Sequence, residues 1–359
     1  LDHFLEPFLR GPTSNDLLWV LRLTLAQIHL LSRIPVHAAV DLGVELAREA
    51  GGQGASRFAN AVLRRAAYRA PDPPQGDDAK SLSIRYSHPT WLVERWLQRH
   101  GGESTRAMLQ AGSEEPVLWV RVRPGTTDLP WRAEEVLDTA HDGLFVRPAL
   151  SREAVLSHPS FPSGRIALQD PSSGAVALAL SGHLPVGGTL ADLCAAPGGK
   201  LACLHDLGLL EGRVAVALDS SHQRQRRTLD GFRQRGIAGL VAASDGRFPP
   251  LREGSLDAVL LDAPCSNLGV LGRRPEARWR ATPGSARHQG KLQSELLSAG
   301  VSLLKPGGVA VYSVCSTEEE ECDAVVETVS DRVEILERDL HLPGARGWDG
   351  FFRATLRRR

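Results

Sequence analysis

Apolar positions change their period along this chain. From Asp16 to about Arg69 they recur every three or four residues, as in LLWVLRLTLAQIHLLSRI and VDLGVELAREA. That spacing predicts helices, interrupted at Pro35 and at Gly51, Gly52 and Gly54. Ala70 to Asp78, APDPPQGDD, has linker composition. A further helix is expected in SHPTWLVERWLQRHG, with Pro89 near its first turn, and VLWVRVRP alternates like a strand. From about Ile166 short apolar runs alternate with helical stretches, the pattern of a parallel α/β sheet. Strands are expected at Thr189–Leu193, Val214–Leu218, Gly239–Ala243, Ala258–Leu261 and Gly308–Val314.

In such a sheet, functional residues lie just beyond the carboxyl ends of the strands. The rule selects Cys194 to Lys200, Asp219, Asp245, Asp262 to Cys265, and Cys315. The first of these ends is LADLCAAPGGK, a strand that breaks at Ala195, Pro197, Gly198 and Gly199 and gives way at Lys200 to a predicted helix. A glycine turn at a helix start presents N–H groups and the positive end of the helix dipole to a nucleotide-like ligand. The P-loop spacing is excluded because Cys194 replaces its first glycine and Leu201 its hydroxyl residue, and Gly-x-Gly-x-x-Gly is absent. Asp219 follows the turn by about twenty residues, the distance of a carboxylate that grips a ribose.

Length and charge narrow the picture further. The 359 residues exceed one core, so two or three domains are expected. Forty-two basic residues balance forty-two acidic ones, which argues against a histone-like wrapping protein. Local basic patches remain, at Arg273, Arg274, Arg278, Arg280, Arg287 and Lys291 and on the segment carrying Arg224, Arg226, Arg227, Arg233 and Arg235. The first is expected on a loop that holds RNA phosphates and the second as a solvated helix face. The five cysteines form no Cys-x-x-Cys pair, so no metal site or disulfide framework is expected and the location is read as reducing and cytoplasmic. No membrane segment is expected either.

Cys265 and Cys315 follow two strands expected to be neighbours. A buried cysteine is ordinarily a small core residue, but two at adjacent active-edge positions point to chemistry. A thiolate can add to an electron-poor conjugated carbon and make the neighbouring carbon nucleophilic toward a methyl group. Cytosine offers that pair of carbons, Asp262 is placed to assist at the ring nitrogen, and the base would have to leave its stack. Position alone does not rank the two thiols.

The segments LADLCAAPGGK, VALDSS, ASDGRFP, LDAPCSNLGVLGRRPEARW, VYSVCSTEEEE and WDGFFRATLRRR, in order, resemble the RsmB/Sun family of S-adenosylmethionine-dependent RNA (cytosine-5) methyltransferases. RIPVHAAVDLGVELAREAGGQGASRFANAVLRRA and SHPTWLVERW are similar to that family's NusB-like domain and connector. The resemblance implies a Rossmann-like α/β methyltransferase with a mostly parallel seven-stranded sheet, preceded by an all-α NusB-like domain. The expected parts are residues 1–75, a NusB-like RNA-binding domain lacking its first helices, 76–165, a connector, and 166–359, the catalytic domain. It further implies methyl transfer to C5 of a cytosine in 16S rRNA through a cysteine–C6 adduct, by a monomer whose partner is small-subunit ribosomal RNA. Cys194, Ala195, Ala196, Pro197, Gly198, Gly199 and Lys200 would contact S-adenosylmethionine, with Asp219 on its ribose, Asp245 near its adenine and Asp262 at cofactor and base. Cys315 would be the nucleophile and Cys265 the residue that assists product release. Val314 and Cys322 depart from the family's usual threonine and asparagine.

Two other readings are an RNA-binding or antitermination module with a vestigial cofactor site and a 5-cytosine methyltransferase of another RNA such as tRNA. An exocyclic-amine methyltransferase would carry Asn/Asp-Pro-Pro-Tyr/Phe where this chain has Asp262-Ala263-Pro264-Cys265.

Overall fold

The computed structural model describes residues 1–9, 11–69, 71–344 and 346–359. Ala70, at the head of the expected linker, lies outside the described residues. Two units separate, Leu1–Glu94 and Arg95–Arg359.

The first unit is helical. Helices Asn15–Leu30 and Val36–Ala66 bury Leu17, Leu21 and Leu25 against Val40, Ala47, Ala59 and Leu63, the face their spacing predicts. Gly51 and Gly52 interrupt the longer helix with non-helical backbone, as the glycine break implies. Residues 71–77 have no helix or strand.

The second unit contains two sheets. Strands β1 (Val120–Val122), β2 (Val136–Ala140), β3 (Phe145–Pro148) and β4 (Ile166–Leu168) form an antiparallel sheet in the order β2-β3-β1-β4. The larger sheet consists of β5 (Thr189–Asp192), β6 (Val214–Asp219), β7 (Gly239–Ala243), β8 (Leu256–Asp262), β9 (Leu304–Val314), β10 (Val333–His341) and β11 (Phe351–Arg358). Its order is β10-β11-β9-β8-β5-β6-β7. The pairs from β7 through β9 are parallel, and β11 alone runs antiparallel to its neighbours.

Both faces of the central strands β5, β6, β8 and β9 are covered, so these strands read as continuous apolar runs, whereas the edge strands β7 and β10 are partly exposed. Val259 and Leu261 face a core shared with Leu296, Leu297 and Val301 of helix Ser285–Leu303. Ala258 and Leu260 face the other, with Leu201 and Leu204 of helix Gly199–Asp206 and Phe232 of helix His222–Arg235. Strand order reverses at β5, between β6 and β8. A crevice therefore opens above the carboxyl ends of these strands.

Candidate active site

The glycine turn forms the floor of that crevice. Gly198 adopts φ +95 at the N-cap of helix Gly199–Asp206, and a Cβ there would stand 3.1 Å from Thr228 Cγ2. Only glycine holds this backbone without strain. The helix's first N–H groups have no partner within it by geometry. At Gly199 a Cβ would meet nothing nearer than Gln169 Nε2 at 3.8 Å, so the turn is open to a ligand there. A cavity of about 600 Å³ follows, lined by Cys194 to Lys200, Asp192, Asp262, Gln169 and Arg235 among others. Asp219, Asp245 and the thiols of Cys265 and Cys315 lie outside its lining.

Each expected carboxylate stands at its strand end in a distinct setting. Asp219 is buried; its Oδ1 accepts from the Ser221 N–H at 2.8 Å and pairs with Arg224 at 2.9 Å. Asp245 accepts from the Arg247 N–H at 3.0 Å and from Arg247 Nη2 at 2.7 Å, and these bonds hold its carboxyl below the usual range. Asp262 Oδ1 accepts from Ser313 Oγ at 2.9 Å on the neighbouring strand, and its Oδ2 accepts from Lys200 Nζ. Burial penalises the Lys200 ammonium, but Asp262 and Asp192 outweigh that cost and raise its pKa.

The two thiols do meet. Cys265 Sγ lies 3.0 Å from Cys315 Sγ, and the Cys315 thiol points to Asn267 Oδ1 at 3.4 Å. The bond to Cys315, with burial second, raises the Cys265 pKa well above an ordinary thiol. Cys265 therefore keeps its proton. Burial also pushes up the Cys194 thiol, which lines the cavity.

Several supporting residues carry no sequence signal of their own. Glu321 is fully buried and accepts from the Ser266 N–H at 2.8 Å, from Ser316 Oγ at 2.6 Å and from Gln293 Nε2 at 3.1 Å. Gln293 also donates to Pro264 O at 2.9 Å. One carboxylate thus ties the loop of Cys265 to that of Cys315. Glu318, in the same loop, accepts from Trp96 Nε1 at 3.0 Å and pairs with Arg95. Arg121 of β1, 2% exposed, donates to Asp206 Oδ2 at 2.7 Å and to Gly199 O at 3.0 Å, bracing the cofactor-side helix from the smaller sheet.

The basic segment after Cys265 differs from its expected form. Arg278 lies in the short helix Ala277–Arg280, is 5% exposed and donates to Gly112 O. Arg273 donates to Asp349 Oδ2 at 2.6 Å and Asp170 Oδ2 at 3.1 Å. Arg278 is an internal cross-link rather than a free phosphate ligand, because burial leaves an arginine only partners inside the protein, whereas Arg273 is exposed but already held by two carboxylates.

Comparisons with known proteins agree with this architecture. The family model described as 16S rRNA methyltransferase RsmB/F matches residues 183–341, the NusB family matches 1–68, and the RsmF/B-like ferredoxin-like domain matches 88–129. A protein of Mycobacterium tuberculosis named as a methyltransferase is 36% identical over 324 residues, covering 86% of this chain and 69% of its own. Ribosomal RNA small subunit methyltransferase B of Escherichia coli is 33% identical over 348 residues, covering 91% and 79%. Among solved structures, a methyltransferase homologue from Pyrococcus horikoshii shares the fold with a TM-score of 0.62 at 24% identity, covering 78% of this chain and 99% of its own. NSun6 from the same organism, solved with the S-adenosylmethionine analogue SFG, scores 0.61 at 20% identity, covering 75% and 98%. The open glycine turn, the cavity beyond it and the acidic strand ends suit S-adenosylmethionine, the cofactor of these methyltransferases. The chain belongs to the RsmB/F family of rRNA methyltransferases, with a NusB-family region ahead of its S-adenosylmethionine-dependent catalytic fold.

Proposed function

We propose that the protein methylates C5 of a cytosine in 16S rRNA through a covalent adduct between Cys315 and C6 of the base. The observation that carries this reading is the 3.0 Å approach of Cys265 and Cys315 beside Asp262, at the strand ends that border the cofactor turn. Two cysteines at that distance suit a reaction that needs one thiolate and one thiol.

Cys194 to Lys200 hold the cofactor, Asp219 its ribose and Asp245 its adenine side, while Asp262 faces cofactor and base. The bound cofactor supplies an electrophilic methyl group on a sulfonium sulfur. The Cys315 thiolate adds to C6, and the electron pair displaced from the C5–C6 bond is delocalised toward N3. Asp262 Oδ2, hydrogen-bonded to Lys200 Nζ, relays a proton to N3. C5 then takes the methyl group and loses its own proton to a base as the C6–S bond breaks to return the Cys315 thiolate, and N3 gives its proton back to the Asp262–Lys200 pair. Cys265, which keeps its proton, stabilises the departing thiolate by a hydrogen bond from its S–H. The target cytosine is turned out of its stack to reach the strand edge.

A second family reading, 5-cytosine methylation of another RNA, shares every step and differs only in substrate. We assign the RNA-binding NusB-like part to residues 1–75, the connector to 76–165 and catalysis to 166–359, in a cytoplasmic monomer. No described helix is long and apolar enough to cross a membrane, and no metal-binding group of side chains occurs among the described residues. Purified protein, labelled cofactor and 16S rRNA, followed by bisulfite sequencing, test the proposal. One protected cytosine in 16S rRNA is expected; methylation confined to tRNA or to an exocyclic amine overturns it.

A further inference from the structure

Helix His222–Arg235 turns one face to the sheet and leaves an arginine face in solvent. Gln225, Thr228 and Phe232 are buried, whereas Arg224, Arg226, Arg227 and Arg233 are exposed. Neither Arg226 nor Arg227 pairs with an acid among the described residues, and Arg233 meets only Asp230 at 3.9 Å. A pair so exposed adds little to stability.

This face is continuous with other positive charge. At the helix start, Arg224 pairs with Asp219 at the active edge of the sheet. At its end, Arg235 Nη1 donates to Gly164 O at 3.1 Å, beside exposed Arg165. Burial lowers the Arg235 pKa; Asp206 opposes that shift, while the nearby Arg121 and Arg123 add to it. Exposed Arg165 thus adds its charge at the far end of the arginine face.

Spacing and placement favour RNA over an acidic protein segment. At about 1.5 Å rise per residue, Arg226 and Arg233 stand about 10 Å apart along one stripe of the helix. A backbone crossing that stripe can reach the crevice at the helix start. We propose that Arg226, Arg227 and Arg233, with Arg165, form a docking surface for the phosphate backbone of the substrate RNA, away from the cytosine itself. The inference rests on the RNA reading given above.

The test replaces Arg226, Arg227 and Arg233 together with glutamine in the full chain. All three are exposed, so the fold and cofactor affinity by calorimetry serve as controls. Each lost phosphate contact lowers the slope of log affinity against log salt by about 0.7 to 0.9, so a loss of about two to three units is expected. The KM for rRNA should rise about tenfold at moderate salt, with kcat at saturating RNA retained. Wild-type slope and KM in an enzyme whose parent binds and methylates rRNA overturn the docking surface alone. An unchanged RNA slope with lost binding to polyglutamate overturns it in favour of an acidic protein. If the parent neither binds nor methylates rRNA, the functional reading fails and this surface falls with it.

Discussion

Cys265 Sγ and Cys315 Sγ lie 3.0 Å apart although fifty residues separate them, because β8 and β9 are parallel neighbours and Asp262 pairs in register with Ser313. The same register brings Ser313 Oγ to Asp262 Oδ1. A one-residue slip would turn one of these groups into the core. The parallel ladder therefore positions two thiols and a carboxylate at one edge without any local motif joining them.

Replacing the two cysteines one at a time should arrest the reaction at different stages. Cys315→Ala is expected to give neither methylated RNA nor a covalent adduct. Cys265→Ala should attack and methylate, then stall as a protein–RNA adduct that survives denaturing electrophoresis. Loss of the nucleophile closes the entry to the intermediate, whereas loss of the release group closes only the exit. An adduct that accumulates with Cys315→Ala and is missing with Cys265→Ala exchanges the roles.

Glu321 is a positioning residue for both thiol loops. Burial pushes its pKa up, while the bonds from Ser266, Ser316 and Gln293 pull it down. Glu321→Gln keeps the shape but sets an amide against groups that donate. Each donor left unpaired costs about 1–3 kcal/mol. Urea unfolding should register that loss, and kcat should fall while cofactor affinity holds. A variant that unfolds earlier yet turns over at the wild-type kcat would leave Glu321 a purely structural group.

The sequence made the strand ends readable because β5, β6, β8 and β9 are buried on both faces. Apolar runs ending in Asp192, Asp219, Asp262 and Val314 can be seen without any partner. What stayed hidden depends on distant pairing. Arg278 and Arg273 read as free charges because their partners, Gly112, Asp170 and Asp349, lie far away in sequence. Arg121 and Asp206 are 85 residues apart, and nothing in either neighbourhood announces a buried ion pair. Conversely, the arginines of helix His222–Arg235 read as an ordinary solvated face, and Arg224, Arg226, Arg227 and Arg233 are exposed, whereas Arg235 is half-buried against Gly164. Their significance emerges only beside Arg165 and the active edge.

Asp219 should contribute to cofactor affinity. Its Oδ1 is already occupied by the Ser221 N–H and Arg224, so ribose hydroxyls would approach Oδ2. Asp219→Ala is expected to weaken S-adenosylmethionine binding by about 1–3 kcal/mol in calorimetry, the cost of stranding buried hydrogen-bond partners. An unchanged dissociation constant removes Asp219 from the ribose.

Asp192 predicts how stability varies with pH. It is 1% exposed, and burial, with Asp262 and Asp219 adding and Lys200 opposing, pushes its carboxyl up to about 7. An unfolded aspartate titrates near pH 4. Between about pH 4 and 7 the folded protein therefore holds a proton that the unfolded chain has released. Stability from this group is fully present below the unfolded value and is lost as pH rises through the folded one. The bound on that contribution is about 4 kcal/mol, three units at roughly 1.4 kcal/mol each. Asp349, pushed up to about 6 chiefly by burial, acts with the same sign. Asp192→Asn should flatten the decline in unfolding free energy between about pH 4 and pH 7 while leaving the shallower part due to Asp349. At pH 8 the variant should be the more stable protein, since it no longer forces a carboxylate to ionise in a dry site. Parallel pH profiles for the two proteins would mean that Asp192 is ionised throughout this range, held so by Lys200.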